Sequence, residues 1–217
     1  MKITAELIAR TALRLLDEVG LDGLTMRLVA KELDVKAPAL YWHVKSKQEL
    51  LDAMATLVMV EADEGLESPR RGVTWDQWLG ERAMRLRRTM LRHRDGARVV
   101  AGTHVGHPVV IRTIELVLRT LQDAGFTLEE AARAVPTIFH YTIGFTIEEQ
   151  ARLGEAYGEG GNPYQAETIA RLADTERYPL AAKMLGGLLA PDTDAQFEHG
   201  IATILAGIRT QHSNSRS

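Results

Sequence analysis

The sequence predicts an all-α protein, with an N-terminal three-helix helix-turn-helix unit and a larger C-terminal helical domain. Apolar residues recur at three- and four-residue spacing along most of the 217 residues, and no stretch alternates with the period of two that a strand requires. From Thr25 to Lys47, two short helical patterns meet across a turn too tight for other arrangements.

Thr4 caps a first helix whose residues Ile8, Ala12, Leu15, Leu16 and Val19 share a face, and Gly20 ends it where a left-handed residue costs least. Thr25 then caps a helix starting at Met26, with Leu24 stapled to Val29. Asp34, Val35 and Lys36 break that helix before Pro38, which suits the first turn of the next. This next helix is expected to be barely two turns long. It carries Tyr41, Trp42 and His43, followed by Lys45 and Lys47, a set of hydrogen-bonding and cationic groups that a small core cannot bury. Such a face suits a polyanion, and major-groove reading with phosphate contacts is the mechanism that fits. An ordinary helical hairpin is the alternative.

Ser46 and Glu49 read as a capping box launching a helix to about Asp63, and Glu64 to Val73 reads as a linker. Thr74 and Gln77 cap a helix to about Arg92. Its apolar line is Leu79, Ala83, Leu86 and Met90, with Arg85, Arg88 and Arg92 on a solvated face. A short helical piece, a turn-rich loop over Gly102–Pro108, and a helix from Pro108 to Ala124 follow. After a capping box at Thr127 and Glu130, about 25 residues from Leu128 to Leu153 are expected to run as one helix without a breaker. Gly154–Pro163 is expected to be a mobile loop, with helices over Tyr164–Asp174, from Pro179, and over Ala195–Arg209. The last carries an apolar stripe of Phe197, Ile201, Ile204, Leu205 and Ile208. It suits either the chain's own core or, preferentially, a dimer bundle. The division expected is residues 1–47 for the three-helix reader and 48–217 for the larger helical body.

Composition narrows the function. A content of 45% hydrophobic and 25% charged residues belongs to a globular chain, not a disordered one. With no cysteine there can be no disulfide framework and no cysteine-ligated zinc or iron-sulfur site. No apolar run reaches the roughly 18 residues of a membrane span, and Met1–Glu6 shows no export signal, so a cytoplasmic location is expected. The net charge of −3 argues against indiscriminate nucleic-acid binding, yet Arg27, Lys31, Lys36, Lys45 and Lys47 face only Glu32 and Asp34 in the Thr25–Lys47 stretch. His93, His104, His107 and His140 could suggest a transition metal, but no carboxylate spacing supports ligation, and no metal is expected. No nucleophile-base spacing or phosphate-binding glycine loop supports catalysis.

The stretches LLDEVGLDGLT, LYWHVKSKQELLDA, LRHRDGARV, GTH, DAGFTLEEA, HYTIGFTIEEQ and FEHGIATILAGI together resemble the tetracycline repressor (TetR) family, in the branch of the tetracycline repressors themselves. LYWHVKSK is the specific part. The resemblance implies a homodimer placing two readers on operator DNA, a small-molecule pocket in the body, and release of DNA when the pocket fills. It carries the DNA contacts onto Thr25, Arg27, Pro38, Ala39, Tyr41, Trp42, His43 and Lys47, to which the local charge adds Lys36 and Lys45. Where those repressors have a base-reading glutamine, this chain has Ala37, which can offer only an apolar contact.

The pocket departs further. The resemblance places ligand contacts at Asp63, Arg82, Leu86, Val100, Thr103, His104, Val117, His140 and Glu148. Val100 replaces the imidazole through which tetracycline repressors hold magnesium. Asp63, Arg82, Leu86 and Val117 replace a histidine, an asparagine, a phenylalanine and a glutamine, and His104 replaces an arginine. No cofactor is expected, and the effector should not be a tetracycline-magnesium chelate. Arg82 interrupts an apolar line, so it either pairs with an acid such as Asp63 or Glu148 or receives an anionic group of the ligand. The readings left open are a ligand-released repressor, a DNA-binding regulator without an inducer, and an all-helical enzyme.

Overall fold

The computed structural model describes residues 3–103, 106–153, 176–189 and 193–215. Among them the chain forms helices and no strand. The reader consists of α1 (Ala5–Gly23), α2 (Met26–Glu32) and α3 (Ala37–Tyr41), and α4 (Lys47–Asp63) leads into the body. The body adds α5 (Trp75–Leu91), α6 (Gly96–Val100), α7 (Pro108–Asp123), α8 (Leu128–Leu153), α9 (Pro179–Leu189) and α10 (Thr193–Asn214). The expected helix over Tyr164–Asp174 and the Gly154–Pro163 loop lie outside the described residues.

The starts follow from the caps. Thr4, Thr25 and Ser46 each accept a hydrogen bond from the backbone N–H three residues on. Glu49 reaches back one residue further than a capping box requires, accepting from the Lys45 N–H. Gly20 adopts φ +70°, so α1 bends there and Leu24 N–H turns back to the Gly20 carbonyl. Pro136 lies inside α8, contrary to the expected unbroken run. It removes one backbone hydrogen bond, and the helix continues through it.

Two apolar clusters fill the molecule. One joins the reader to the body: Leu16, Val29, Leu40 and Val44 pack with Leu50, Met54 and Val58 of α4, and the cluster continues to Leu86, Met90, Val99 and Ile143. Helix α4 packs against α1, α5, α6 and α7, so one rod touches both halves. The second cluster holds α5, α7, α8 and α10 around Leu79, Val117, Leu121, Ile138 and Phe197. Phe197, Ile201 and Leu205 are buried within the chain, so the terminal stripe is largely intramolecular core. The exposed face of α10 carries Ala202, Ala206 and Gly207 instead. A Cβ at Gly200 would overlap the Tyr141 hydroxyl, which is why α8 and α10 approach closely there.

Candidate nucleic-acid interface and effector cavity

The reader is held from behind and left open in front. Met26, Val29, Ala30 and Leu40 bury one side of α2 and α3, while Thr25, Arg27, Lys36, Pro38, Tyr41, Trp42, His43, Lys45 and Lys47 are exposed, and Ala37 and Ala39 are half-buried. Trp42 is 88% exposed, an extreme value for an indole, which ordinarily hides most of its area. Helix α3 is shorter than expected. It ends at Tyr41 because Val44 folds back into the core at 1% exposure, so Trp42 and His43 stand in the turn and Lys47 opens α4. Glu32 is occupied by Arg14 of α1 at 2.5 Å, which leaves the cations of this face less opposed than the sequence suggests.

The reader is fastened to the body by the α5–α6 turn. Asp95, with φ +57°, accepts the Leu21 N–H at 2.8 Å, and Asp17 of α1 accepts the Arg94 N–H at 3.0 Å. His93 stands 3.4 Å from Asp17, and Arg98 bridges Asp95 and Asp22 at 3.1 and 3.4 Å. From the other side, Gln150 of α8 accepts the Ala97 N–H at 3.0 Å and donates to the His93 carbonyl at 2.8 Å. One turn thus ties reader, α4 neighbourhood and α8 together.

A cavity of about 670 Å³ opens between α4, α5, α7, α8 and the end of α6. Its wall is mostly apolar: Met59, Val100, Ala101, Val110, Ile114, Val135, Pro136, Phe139 and Ile143, with Arg82, Thr103, His140 and the glycines 102 and 144. Of the residues expected here, Arg82, Val100, Thr103 and His140 line it. Asp63 stands behind Arg82 as its ion-pair partner at 3.3 Å. Leu86 and Val117 are each 2% exposed in the two apolar cores and do not reach the wall, because their side of the helix faces packed neighbours. Glu148 is exposed and off the wall, one turn beyond Gly144 on the same row of α8, and His104 lies outside the described residues. His140 is exposed, so it is not a core histidine. Thr103 donates its hydroxyl to the Val100 carbonyl at 2.8 Å, leaving its oxygen free to accept.

The sequence reading missed Met59, Val110, Ile114, Val135, Phe139 and Gly144. The signal was present: Val135, Phe139 and Ile143 form one four-residue row of α8, and Pro136, His140 and Gly144 form the next. Arg85, expected on a solvated face, is half-buried and donates to the Glu61 and Glu64 carbonyls, and the role of Arg87 was missed. Arg87 is 2% exposed and bound to Glu149 and Asp194. Burial alone would lower its pKa, but the hydrogen bonds it donates to Glu149 and Asp194 hold it above its ordinary value. Among the described residues no group of histidine, aspartate and glutamate is placed to hold a metal ion, and no helix is long and apolar enough to cross a membrane.

Comparison with known proteins agrees with this two-part layout. Residues 8–54 match the family model described as bacterial regulatory proteins, tetR family, and residues 68–212 match the tetracyclin repressor-like C-terminal domain. The chain is 38% identical over 207 residues to the tetracycline repressor protein class A from transposon 1721 of Escherichia coli, covering 95% of this chain and 91% of that protein. A possible TetR family transcriptional regulator from Streptomyces coelicolor A3(2) superposes with a TM-score of 0.82 at 39% identity, covering 95% and 98% of the two chains. The Streptomyces coelicolor TetR family protein ActR, in complex with actinorhodin, superposes with a TM-score of 0.82 at 28% identity over 98% of each. With both halves matched over nearly its whole length, this chain belongs to the TetR family of bacterial regulators.

Proposed function

We propose that the chain is a sequence-specific transcriptional repressor that a small-molecule ligand releases from operator DNA. The observation that carries this reading is the path of α4. It begins at the exposed reader, places Met59 on the cavity wall, and ends at Asp63 against Arg82. A ligand in the cavity presses on the same rod that orients the reader. The relatives support it: one is named a tetracycline repressor, and ActR was crystallised with actinorhodin.

Residues 1–47 serve as the DNA-binding domain and 48–217 as the ligand-binding and dimerisation domain of a homodimer. Thr25, Arg27, Lys36, Tyr41, His43, Lys45 and Lys47 contact phosphates and base edges, Trp42 packs on the backbone sugars, and Ala37, Pro38 and Ala39 approach the groove floor. Two readers must sit about 34–36 Å apart to enter successive major-groove turns. A ligand that prefers another separation by a few kcal/mol switches occupancy. Tilting α4 is the means.

Gel-shift titration with DNA from beside its own gene tests the reading. A specific complex that dissolves with ligand is expected, and failure to form any specific complex overturns it. A complex that no small molecule dissolves or stabilises would favour a regulator without an inducer. Turnover of a bound compound would be required for the remaining reading, an all-helical enzyme.

A further inference from the structure

The Arg82–Asp63 pair is only half made. Arginine and a carboxylate ordinarily meet through two parallel hydrogen bonds, but here they meet only in an ion-pair approach of Nη2 to Oδ1 at 3.3 Å. Arg82 Nε and Asp63 Oδ2 are both buried and have no hydrogen-bond partner among the described residues. The side chains are 15% and 2% exposed, so solvent does little to satisfy either atom. A buried donor without an acceptor is costly, and native structures retain one chiefly where something else supplies the missing bond. Arg82 lies on the cavity wall, and Asp63 does not. The unmet donor therefore belongs to the cavity's chemistry.

The remaining wall narrows the partner. Met59, Val100, Val110, Ile114, Phe139 and Ile143 offer only apolar contact to a body filling about 670 Å³. Thr103 has committed its proton to Val100 and can only accept. Among the described residues His140 is the one imidazole on the wall, and no described carboxylate stands with it there, so this lining lacks the donor set that a chelated divalent ion needs. Among the described residues, the fixed charge on the wall comes from Arg82 alone.

We propose, resting on the repressor reading above, that the effector is a metal-free, largely apolar molecule presenting a carboxylate or phenolate oxygen to Arg82 Nε. Asp63 is the positioning residue. It holds the guanidinium in place and leaves Nε for the ligand. Because Asp63 is the last residue of α4, an acceptor that draws on Arg82 acts directly on the end of the rod.

The test uses the full-length protein and matched probes: anthraquinone-2-carboxylate and flavone-2′-carboxylate, each beside its methyl ester, with affinity read by tryptophan fluorescence in magnesium and in chelator. The carboxylates are expected to bind at least about tenfold more tightly than their esters, the size of one charge-assisted hydrogen bond. Chelator should change nothing. The paired variant Arg82→Gln with Asp63→Asn, which buries no lone charge, should bring carboxylate affinity down to that of the ester. Equal or tighter ester binding in the native protein overturns the acceptor class while leaving the cavity as the ligand site. A requirement for magnesium overturns it as well. Binding of no probe at all overturns this proposal, while the repressor reading stands or falls separately on the gel shift.

Discussion

Arg87 of α5 and Glu149 of α8 meet in a two-pronged ion pair, Nε to Oε2 at 2.7 Å and Nη2 to Oε1 at 2.6 Å, at side-chain exposures of 2% and 3%. Asp194 of α10 takes the third edge at 2.7 Å, and the rings of Phe145 and Phe197 lie 5.8 and 5.1 Å from the guanidinium. One side chain thus pins three helices. Glu149→Ala should lower stability by about 3–5 kcal/mol in chemical denaturation, since it leaves the buried guanidinium with only the exposed Asp194 as acid partner. Replacing both partners, Arg87→Met with Glu149→Leu, should recover most of that loss. If the double variant is no more stable than Glu149→Ala, stranded charge is not the cause.

Trp42 stands apart from the core, so its removal separates DNA binding from folding. Trp42→Ala should leave stability within about 0.5 kcal/mol while weakening operator binding by about 1–3 kcal/mol, the range for one good contact. Lys47→Ala should weaken binding evenly across DNA sequences and reduce the salt slope by about 1. Fluorescence anisotropy at several salt concentrations, beside thermal melts, checks both. Loss of folding in Trp42→Ala would contradict its exposure.

Ala37 opens α3 on the reading side with no side-chain hydrogen bond to offer. Ala37→Gln should add a preference for adenine at one position of each half-site, worth about 1–3 kcal/mol, because glutamine can bind adenine with two hydrogen bonds. Selection of bound duplexes from random DNA by the two proteins reads this directly. Identical selected sequences would place Ala37 away from the bases.

Asp95 fastens the reader by accepting the Leu21 N–H. Asp95→Ala leaves that donor without its partner and puts alanine at φ +57°, so a loss of about 1–3 kcal/mol is expected. Asp95→Asn keeps an oxygen acceptor and tolerates the left-handed backbone, and should lose less. Denaturant melts of the two variants rank them, and the opposite order would refute the role given to the carboxylate.

Glu130 closes the start of α8, and its pKa lies below the usual carboxylate range. The Thr127 N–H is the main cause, opposed by burial and helped by the hydroxyls of Thr127 and Ser215 and by His212. A lowered folded value means its contribution is present above the unfolded pKa and fades as pH falls through the folded one. The melting temperature of the native protein should therefore exceed that of Glu130→Gln at about pH 7, and the gap should narrow below about pH 4.3. A gap that widens on acidification would reverse the sign of the argument.

Local chemistry determined much of this protein. Caps at Thr4, Thr25 and Ser46, the bend at Gly20 and the spacing of apolar residues depend on neighbours within four positions, and they mark out the helices and the exposed reader without reference to the rest of the chain. Which charged residues would be buried was not legible in this way. Arg85, Arg87 and Arg88 look alike in sequence, yet Arg87 alone meets an acid sixty-two positions away. The cavity shows the same limit. Resemblance placed Leu86 and Val117 on its wall, but the rotation of α5 and α7 against their neighbours sends both into packed core, while Val110 of α7 and Phe139 of α8 face the cavity. Packing angles between helices are set by all the side chains at an interface together. For that reason the half-made Arg82–Asp63 pair, and the ligand chemistry it implies, emerged only once the helices were assembled.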